Sequence, residues 1–207
     1  MGAILNAITV REPYASLLMI GAKRIETRSW SAPAAAIGQR IAIHAAKGLT
    51  LDELWTCYED AFFDALTAGG VRLPEQGLLD RSPKAALAAA FLATRGCIVA
   101  TATLHACRRM PDVSYREMRG MLERAGFPEH ELEFGDFSPG RYGWIVTDVE
   151  RLAVPVPARG QQGIWQVEVP AQLDRDGGTI TGTAQKLETT APPLTVRSGV
   201  SREVANA

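Results

Sequence analysis

Cysteine, histidine and long apolar runs are all scarce in this chain. The three cysteines among its 207 residues are odd in number and form no CxxC pair, so neither a disulfide framework nor a zinc site is expected. The three histidines show no metal-ligand spacing, and we expect no metal or other cofactor. No apolar stretch free of charge, Gly and Pro approaches the roughly 18 residues of a membrane span, and no leader pattern opens the chain. These absences predict a cytoplasmic, soluble protein without membrane contact.

Net charge is also small, at −1, but it is unevenly distributed. Residues 1–48 carry six Lys and Arg against two acids, so this part sums to +4 and the remainder to −5. A basic N-terminal third could bind one anionic group, although it would be a poor non-specific binder of duplex nucleic acid. Six cations spread over a solvated surface would give the same sums, and this alternative stays open.

Strand patterns and helix patterns follow one another without strict alternation. Strands are predicted in "NAITVREP", "RIETRSW", "GQRIAIHAAKG", "GCIVATATLHAC", "FGDFSPGRYGWIVTDVERL" and "GIWQVEVP". Helices are predicted over "PYASLLMIGAK", 50–67, 83–94 and near 114–125, with a loop at 69–83. About five to six strands with flanking and inserted helices predict an α+β fold, a small mixed β-barrel rather than a doubly wound sheet.

The composition changes near residue 171. Residues 1–170 form the predicted domain, whereas 171–207 are rich in Thr, Gly, Pro and Ala and contain no aromatic residue. Such a segment has little apolar surface to bury, so we expect a flexible C-terminal extension.

Charge is concentrated in "GAKRIETRSW", between the first helix and a Pro/Ala loop. Strand alternation puts Glu26, Arg28 and Trp30 on one face, with Lys23 just before the strand. A carboxylate between two cations orients both, and the donors would suit a phosphate or a base edge stacked on the indole. Alternatively, desolvation could lower the pKa of Lys23 and make it a general base or nucleophile. A surface ion-pair cluster of little energetic weight would show the same spacing.

Further candidate ligand-binding residues lie outside this segment. They are Tyr14 on the first helix, His44 and Lys47 near the end of a strand, and Ser138 and Arg141 in the "FSPGRYG" turn. Each has an ordinary structural alternative as well: a core aromatic ring, a partly buried histidine, a surface lysine or a tight Pro-Gly turn.

The string "ITVREPYASLLMIGAKRIETRSW" resembles the opening of an ASCH domain, a member of the PUA-like superfamily. The family signature G-x-K-x-x-E-x-R is present as Gly21, Lys23, Glu26 and Arg28. The segments "GQRIAIHAAKG", "RGCIVATATL" and "GWIVTDVERLAVPVPARGQQGIWQVEVP" follow in the family's order. The resemblance covers residues 4–170, and the layout is similar to the branch related to the endothelial-overexpressed, lipopolysaccharide-associated factor.

The resemblance implies a PUA-like β-barrel whose cleft, near the signature, handles RNA or a modified nucleoside. Some small members are N4-acetylcytidine amidohydrolases, and at least one bacterial member is described as a ribonuclease. The amidohydrolases carry Lys-x-x-Thr where this chain has Lys23-x-x-Glu26. The hydroxyl proposed as their nucleophile is therefore absent here, which favours recognition over deacetylation.

Three functions remain open, and no oligomeric state is indicated. The favoured one is recognition of single-stranded RNA or a modified nucleoside or nucleotide through Lys23, Arg28 and stacking on Trp30. The second is a metal-independent hydrolase of RNA or a modified nucleoside, with Lys23 and Glu26 as acid–base partners. The third is a protein-interaction or regulatory domain in which the polar cluster is only structural. A concave pocket shared with Trp30 and His44 would argue against this third function.

Overall fold

The structure is a computed structural model that describes residues 2–170, so the predicted extension 171–207 lies outside the described residues. Six strands and six α-helices occur in this range. In chain order they are β1 (Ala3–Val10), α1 (Tyr14–Met19), β2 (Ile25–Arg28), β3 (Arg40–Ala45), α2 (Leu51–Thr56), α3 (Asp60–Ala68), α4 (Gln76–Arg81), α5 (Pro83–Ala89), β4 (Cys97–Arg109), α6 (Tyr115–Arg124), β5 (Tyr142–Pro157) and β6 (Ile164–Val169). Short 3-10 turns lie at Ala34–Ala36 and Glu129–Leu132. The α+β class and the number of strands are as predicted.

All six strands belong to one mixed sheet, in the order β2-β5-β4-β3-β1-β6. β1 and β3 run parallel, and the other neighbouring strands run antiparallel. The predicted β-barrel is not closed, because β2 and β6 are the two edges of the sheet and do not pair with each other. β2 is only four residues long, and side chains from the segment after α6 bind its outer edge in place of a strand.

Helix α1 packs between two parts of the core. On one side, Ala15 and Leu18 join Ile8, Ile43 and Trp144 of the sheet in a buried apolar cluster. Leu17 instead joins the apolar cluster formed by α2 to α5. Helix α6 covers a third cluster, on β2, β4 and β5. The start of α1 and the turn after it are therefore surrounded by packed elements, which is the setting of the signature residues.

The insertion between β3 and β4 differs from its predicted form. The predicted helix 50–67 is two helices, α2 and α3, because the chain turns at 57–59. Helix α4 forms inside the predicted loop 69–83, where Leu79 is fully buried in the helical cluster. Among the helices of residues 2–170, none combines the length and the apolar character needed to cross a membrane.

Candidate functional site

The signature begins in the turn that joins α1 to β2. Gly21 has a φ of +75°, in the left-handed region that glycine adopts without strain, and it ends the helix. The backbone N–H of Lys23 then donates to the carbonyl of Leu17, at 3.1 Å. This turn holds Lys23 against the end of α1, and the lysine is only 1% exposed.

Lys23, Glu26 and Arg28 form a continuous series of charged contacts, here called the Lys23–Arg28 chain. Lys23 Nζ donates to the carbonyl of Phe134 and lies 3.8 Å from Glu26 Oε2. Glu26 Oε1 lies 3.0 Å from Arg28 Nε, and Arg28 Nη2 donates to the carbonyl of Thr9 at 2.8 Å. The chain thus runs from a buried ammonium to a guanidinium whose side chain is 22% exposed.

Burial dominates the electrostatics around Lys23. It lowers the pKa of the ammonium, while the charges of Glu26 and Glu131 oppose that effect. The ring centroid of Tyr14 lies 5.7 Å from Nζ, within the range of a cation–π contact. Burial, reinforced by Glu53, raises the pKa of the Tyr14 phenol. Burial therefore disfavours the charged form of Lys23, whereas the neighbouring carboxylates and the Tyr14 ring favour it.

Residues 129–136, between α6 and β5, cover the outer edge of β2. Glu131 is fully buried, and its carboxylate accepts the backbone N–H groups of Arg24, at 2.9 and 3.1 Å, and of Ile25, at 2.8 Å. The backbone N–H of Asp136 donates to Thr27 Oγ1 at 3.1 Å. The Glu131 carboxylate thus satisfies backbone donors that would otherwise be unpaired at the edge of the sheet. These contacts also hold β2, and with it the Lys23–Arg28 chain, in a fixed position.

Ser138 and Arg141, both predicted from the sequence, meet at Asp136. The backbone N–H of Ser138 donates to Asp136 Oδ1 at 3.0 Å, and Arg141 Nε lies 3.1 Å from Asp136 Oδ2. The Ser138 hydroxyl is the main cause of a lowered pKa for Asp136. Arg141 Nη2 also donates to the carbonyl of Thr27 at 3.5 Å. The two residues therefore stabilise the turn beside β2.

Trp30 lies beyond the end of β2 and packs on the core. Its ring meets Trp144 edge-to-face, with centroids 4.7 Å apart and an interplanar angle of 84°. Trp144 Nε1 donates to the carbonyl of Trp30 at 3.2 Å. The predicted alternation therefore holds for Glu26 and Arg28 but stops before Trp30, because the strand ends at Arg28.

His44 and Lys47 line a separate cleft of about 940 Å³, here called the basic cleft. It lies where β1 and β3 end, and it is walled by the turn before β4 and by the β5–β6 connection. Arg95 and Arg159 also line it, and none of its lining residues is Asp or Glu. Thr9 lines the cleft too, so one residue of β1 touches both this cleft and the Lys23–Arg28 chain.

Several residues of the two sites carry no signal in the sequence. Glu131 and Phe134 belong to "PEHELEFGD", a segment without helix or strand periodicity, so nothing local indicates that they are buried. Arg95 precedes a predicted strand and Arg159 lies between the last two predicted strands, but neither position indicates a binding residue. Their convergence depends on strand pairing, which local patterns do not encode.

The cysteine and acidic side chains of residues 2–170 form no group of three or more that could hold a metal ion. All three cysteines are free. Burial raises the pKa of Cys57 to about 12, so its thiol is protonated and unreactive at neutral pH.

Replacing Glu131 with leucine tests whether residues 129–136 hold β2. The variant Glu131→Leu removes the acceptor of two backbone N–H groups, at a cost of about 1–3 kcal/mol for each buried donor left unpaired. We expect the free energy of unfolding, from urea denaturation, to fall by about 3 kcal/mol. Glu133→Gln alters an exposed acid of the same segment and should cost less than about 1 kcal/mol. Equally small losses in both variants would show that Glu131 does not hold the strand.

Comparison with known protein families gives a match over most of this chain. The family model of the ASCH domain matches residues 8–156, from β1 to the last part of β5. A search of curated proteins gave no significant match. Among solved structures, the crystal structure of ASCH from Zymomonas mobilis is 12% identical, with a TM-score of 0.42, and the match covers 83% of this chain and 89% of that chain.

Two mutant proteins of the same Zymomonas mobilis ASCH match in a similar way. A serine-to-alanine mutant is 12% identical, with a TM-score of 0.40 and coverage of 78% of this chain and 87% of its own. A tyrosine-to-phenylalanine mutant is 11% identical, with a TM-score of 0.38 and coverage of 78% and 88%. The branch within the family stays a prediction. Because the family model spans well over half of the 207 residues, the chain belongs to the ASCH domain family.

Proposed function

We propose that this protein recognises single-stranded RNA, or a modified nucleoside or nucleotide, at the exposed end of the Lys23–Arg28 chain. The ASCH family is generally linked to RNA binding. The observation that carries the proposal is the fixed orientation of Arg28. Glu26 contacts its Nε and the carbonyl of Thr9 binds its Nη2, so two strands hold the guanidinium before any ligand arrives.

A fixed guanidinium is an efficient recognition group. An unrestrained arginine loses up to about 2 kcal/mol of side-chain entropy when it is ordered on binding. Arg28 is already ordered by its ion pair with Glu26 and its hydrogen bond to the carbonyl of Thr9, and Nη1 takes no part in either contact. This nitrogen can therefore donate to a phosphate oxygen or to a base edge.

Lys23 stabilises this arrangement from the interior of the protein. Its Nζ is bonded to the carbonyl of Phe134 and is shielded from solvent, which argues for a positioning role rather than direct contact with a ligand. Its charge offsets that of Glu26, a nearly buried carboxylate that would otherwise repel a phosphate. Tyr14 is half-buried beside Lys23, and its ring supports the charge of the ammonium.

Replacing Arg28 tests the proposal directly. We expect Arg28→Ala to weaken binding of a fluorescent single-stranded RNA by at least about tenfold, because a charged hydrogen bond contributes about 1.5–3 kcal/mol. Arg28→Lys keeps the charge but cannot reach both acceptors, so it should lose most of this affinity as well. Arg108→Ala removes an exposed cation of β4 and serves as the charge-matched control. Fluorescence anisotropy at one fixed salt concentration measures the RNA affinity of the wild type and the three variants. Unchanged affinity in Arg28→Ala would contradict the proposal.

A second candidate function is metal-independent hydrolysis of RNA or a modified nucleoside. It is favoured by the burial that lowers the pKa of Lys23, 3.8 Å from the carboxylate of Glu26. A lysine whose pKa moves towards neutrality can exchange a proton with a substrate, as acid–base catalysis requires. In this case Lys23 and Glu26 are the acid–base partners.

Product analysis separates the two functions. RNA and N4-acetylcytidine are each incubated with the purified protein and analysed by chromatography. If the chain is a hydrolase, Glu26→Gln and Lys23→Met should reduce turnover by at least about 100-fold, because each removes a proton-transfer group. Arg108→Ala should keep full turnover. Turnover that survives in Glu26→Gln would remove Glu26 from the mechanism, and no turnover by the wild type would leave recognition as the function.

A further inference from the structure

We infer that the basic cleft is a phosphate-binding site. The inference rests on the proposed function, because the phosphates are those of the RNA strand that contacts Arg28. Its charged side chains are Lys47 beyond β3, Arg95 before β4, and Arg159 in the β5–β6 connection. The fold thus brings together cations that are far apart in the sequence. Like charges in one cleft repel each other, and an anion in the cleft removes that repulsion.

Acidic groups compensate the charge of the cleft only in part, through the interaction of the buried Glu12 carboxylate with Arg95. No ion pair within residues 2–170 joins Lys47, Arg95 or Arg159 to a carboxylate, whereas Arg28 and Arg141 are each paired with one. Arg95 Nη2 donates to a backbone carbonyl at 3.3 Å, but its Nε is buried without a hydrogen-bond partner among the described residues. Lys47 and Arg159, which are both exposed, are therefore the cations of the cleft that are available to an external anion.

His44 provides an independent observation that points to a ligand. Its side chain is 1% exposed and lines the cleft, with Nε2 3.1 Å from the carbonyl oxygen of Ala158. Because a carbonyl oxygen only accepts, Nε2 carries the hydrogen. Nδ1 is buried and has no hydrogen-bond partner within residues 2–170. Leaving such an atom unpaired costs about 1–3 kcal/mol. A phosphate removes this cost when the ring is protonated, because Nδ1–H then donates to a phosphate oxygen.

The wall over His44 has a fixed geometry. A Cβ on Gly160 would lie 2.5 Å from Cε1 and 2.7 Å from Nδ1 of His44, so only glycine lets the backbone approach the ring. The hydroxyl of Thr9 donates to the carbonyl of Gln161 at 2.9 Å and accepts from Trp165 Nε1 at 3.2 Å. These contacts pin the β5–β6 connection to β1, so the cleft is formed before an anion arrives.

The lining of the cleft indicates a phosphate rather than a base. Apart from His44 it contains no aromatic side chain on which a base could stack, and it combines basic groups with polar amides. Thr9 places the cleft next to Arg28, since its carbonyl accepts from Arg28 and its hydroxyl bonds the cleft wall. One extended strand passing over Thr9 therefore contacts Arg28 and the basic cleft together.

Anion binding in the cleft is coupled to protonation of His44. Burial lowers the pKa of His44, although the carbonyls of Ala158 and Gly96 favour the charged ring, so the free imidazole is neutral at pH 7. A phosphate at Nδ1 favours the protonated ring and raises its pKa in the complex, so affinity rises as pH falls. The other titratable and charged groups that line the cleft around the ring are Lys47, Arg95, Arg159 and Cys97.

Removal of two exposed cations tests the site. The double variant Lys47→Ala/Arg159→Ala should weaken binding of single-stranded RNA about tenfold, equally for oligouridine and oligoadenine, because phosphate contacts carry no base information. The slope of log affinity against log salt should fall by about 1.4, or 0.7 for each lost phosphate contact. Arg108→Ala/Arg116→Ala removes the same charge from an exposed surface elsewhere and should keep the slope of the wild type.

The outcomes separate this inference from the proposed function. If RNA binding persists and both double variants keep the slope of the wild type, the inference is overturned while recognition by Arg28 stands. If the wild type binds no RNA, the proposed function fails, and calorimetric titration with inorganic pyrophosphate then decides the cleft. Pyrophosphate bound by the wild type but not by Lys47→Ala/Arg159→Ala supports the anion site, whereas binding by both or by neither overturns it.

The pH dependence gives a second readout. RNA phosphodiesters do not titrate between about pH 5.5 and 7.5, so a rise in wild-type affinity on acidification reports on the protein. His44→Gln keeps a donor for the carbonyl of Ala158 but removes Nδ1, and it should abolish that rise. A rise of equal size in His44→Gln would exclude His44 from the site.

Discussion

The ammonium of Lys23 is a charge held almost entirely inside the protein, and its compensation organises the surrounding elements. A buried, unpaired charge costs several kcal/mol, so each group that offsets it must be held in place. Those groups are the carbonyl of Phe134, the carboxylates of Glu26 and Glu131, and the ring of Tyr14. They come from residues 129–136, β2 and α1, so satisfying one lysine fixes three separate parts of the chain.

The open sheet follows from the same constraint. Residues 129–136 bind the outer edge of β2, which therefore needs no pairing with β6. The gap between β2 and β1 is bridged by Arg28, whose guanidinium reaches the carbonyl of Thr9. In the proposed function this bridge is the recognition group, and the basic cleft on the other side of Thr9 receives the phosphates. In the proposed function, the same arginine thus bridges β2 to β1 and contacts the ligand.

Local patterns in the sequence predicted the features that local chemistry controls. Alternation put Glu26 and Arg28 on one face of β2, as their 3.0 Å contact confirms. The contact between Glu131 and Ile25 of β2 joins residues 106 positions apart, and Glu131 lies in a segment without periodicity, so no local pattern could indicate it. The same contact covers the outer edge of β2, so the sheet is open where a barrel was predicted, while the class and the strands are as predicted.

In the proposed function, buried Lys23 fixes Arg28 as the contact for RNA. The arginine Nε–Hε region of ¹⁵N–¹H NMR spectra, recorded during titration with single-stranded RNA, tests this role most directly. We expect a resolved, slowly exchanging Arg28 signal in the free wild type, because its Nε is buried beside Glu26. That signal should shift on addition of RNA and should lose its protection in Lys23→Met. RNA that binds without shifting the Arg28 signal would exclude Arg28 as the contact.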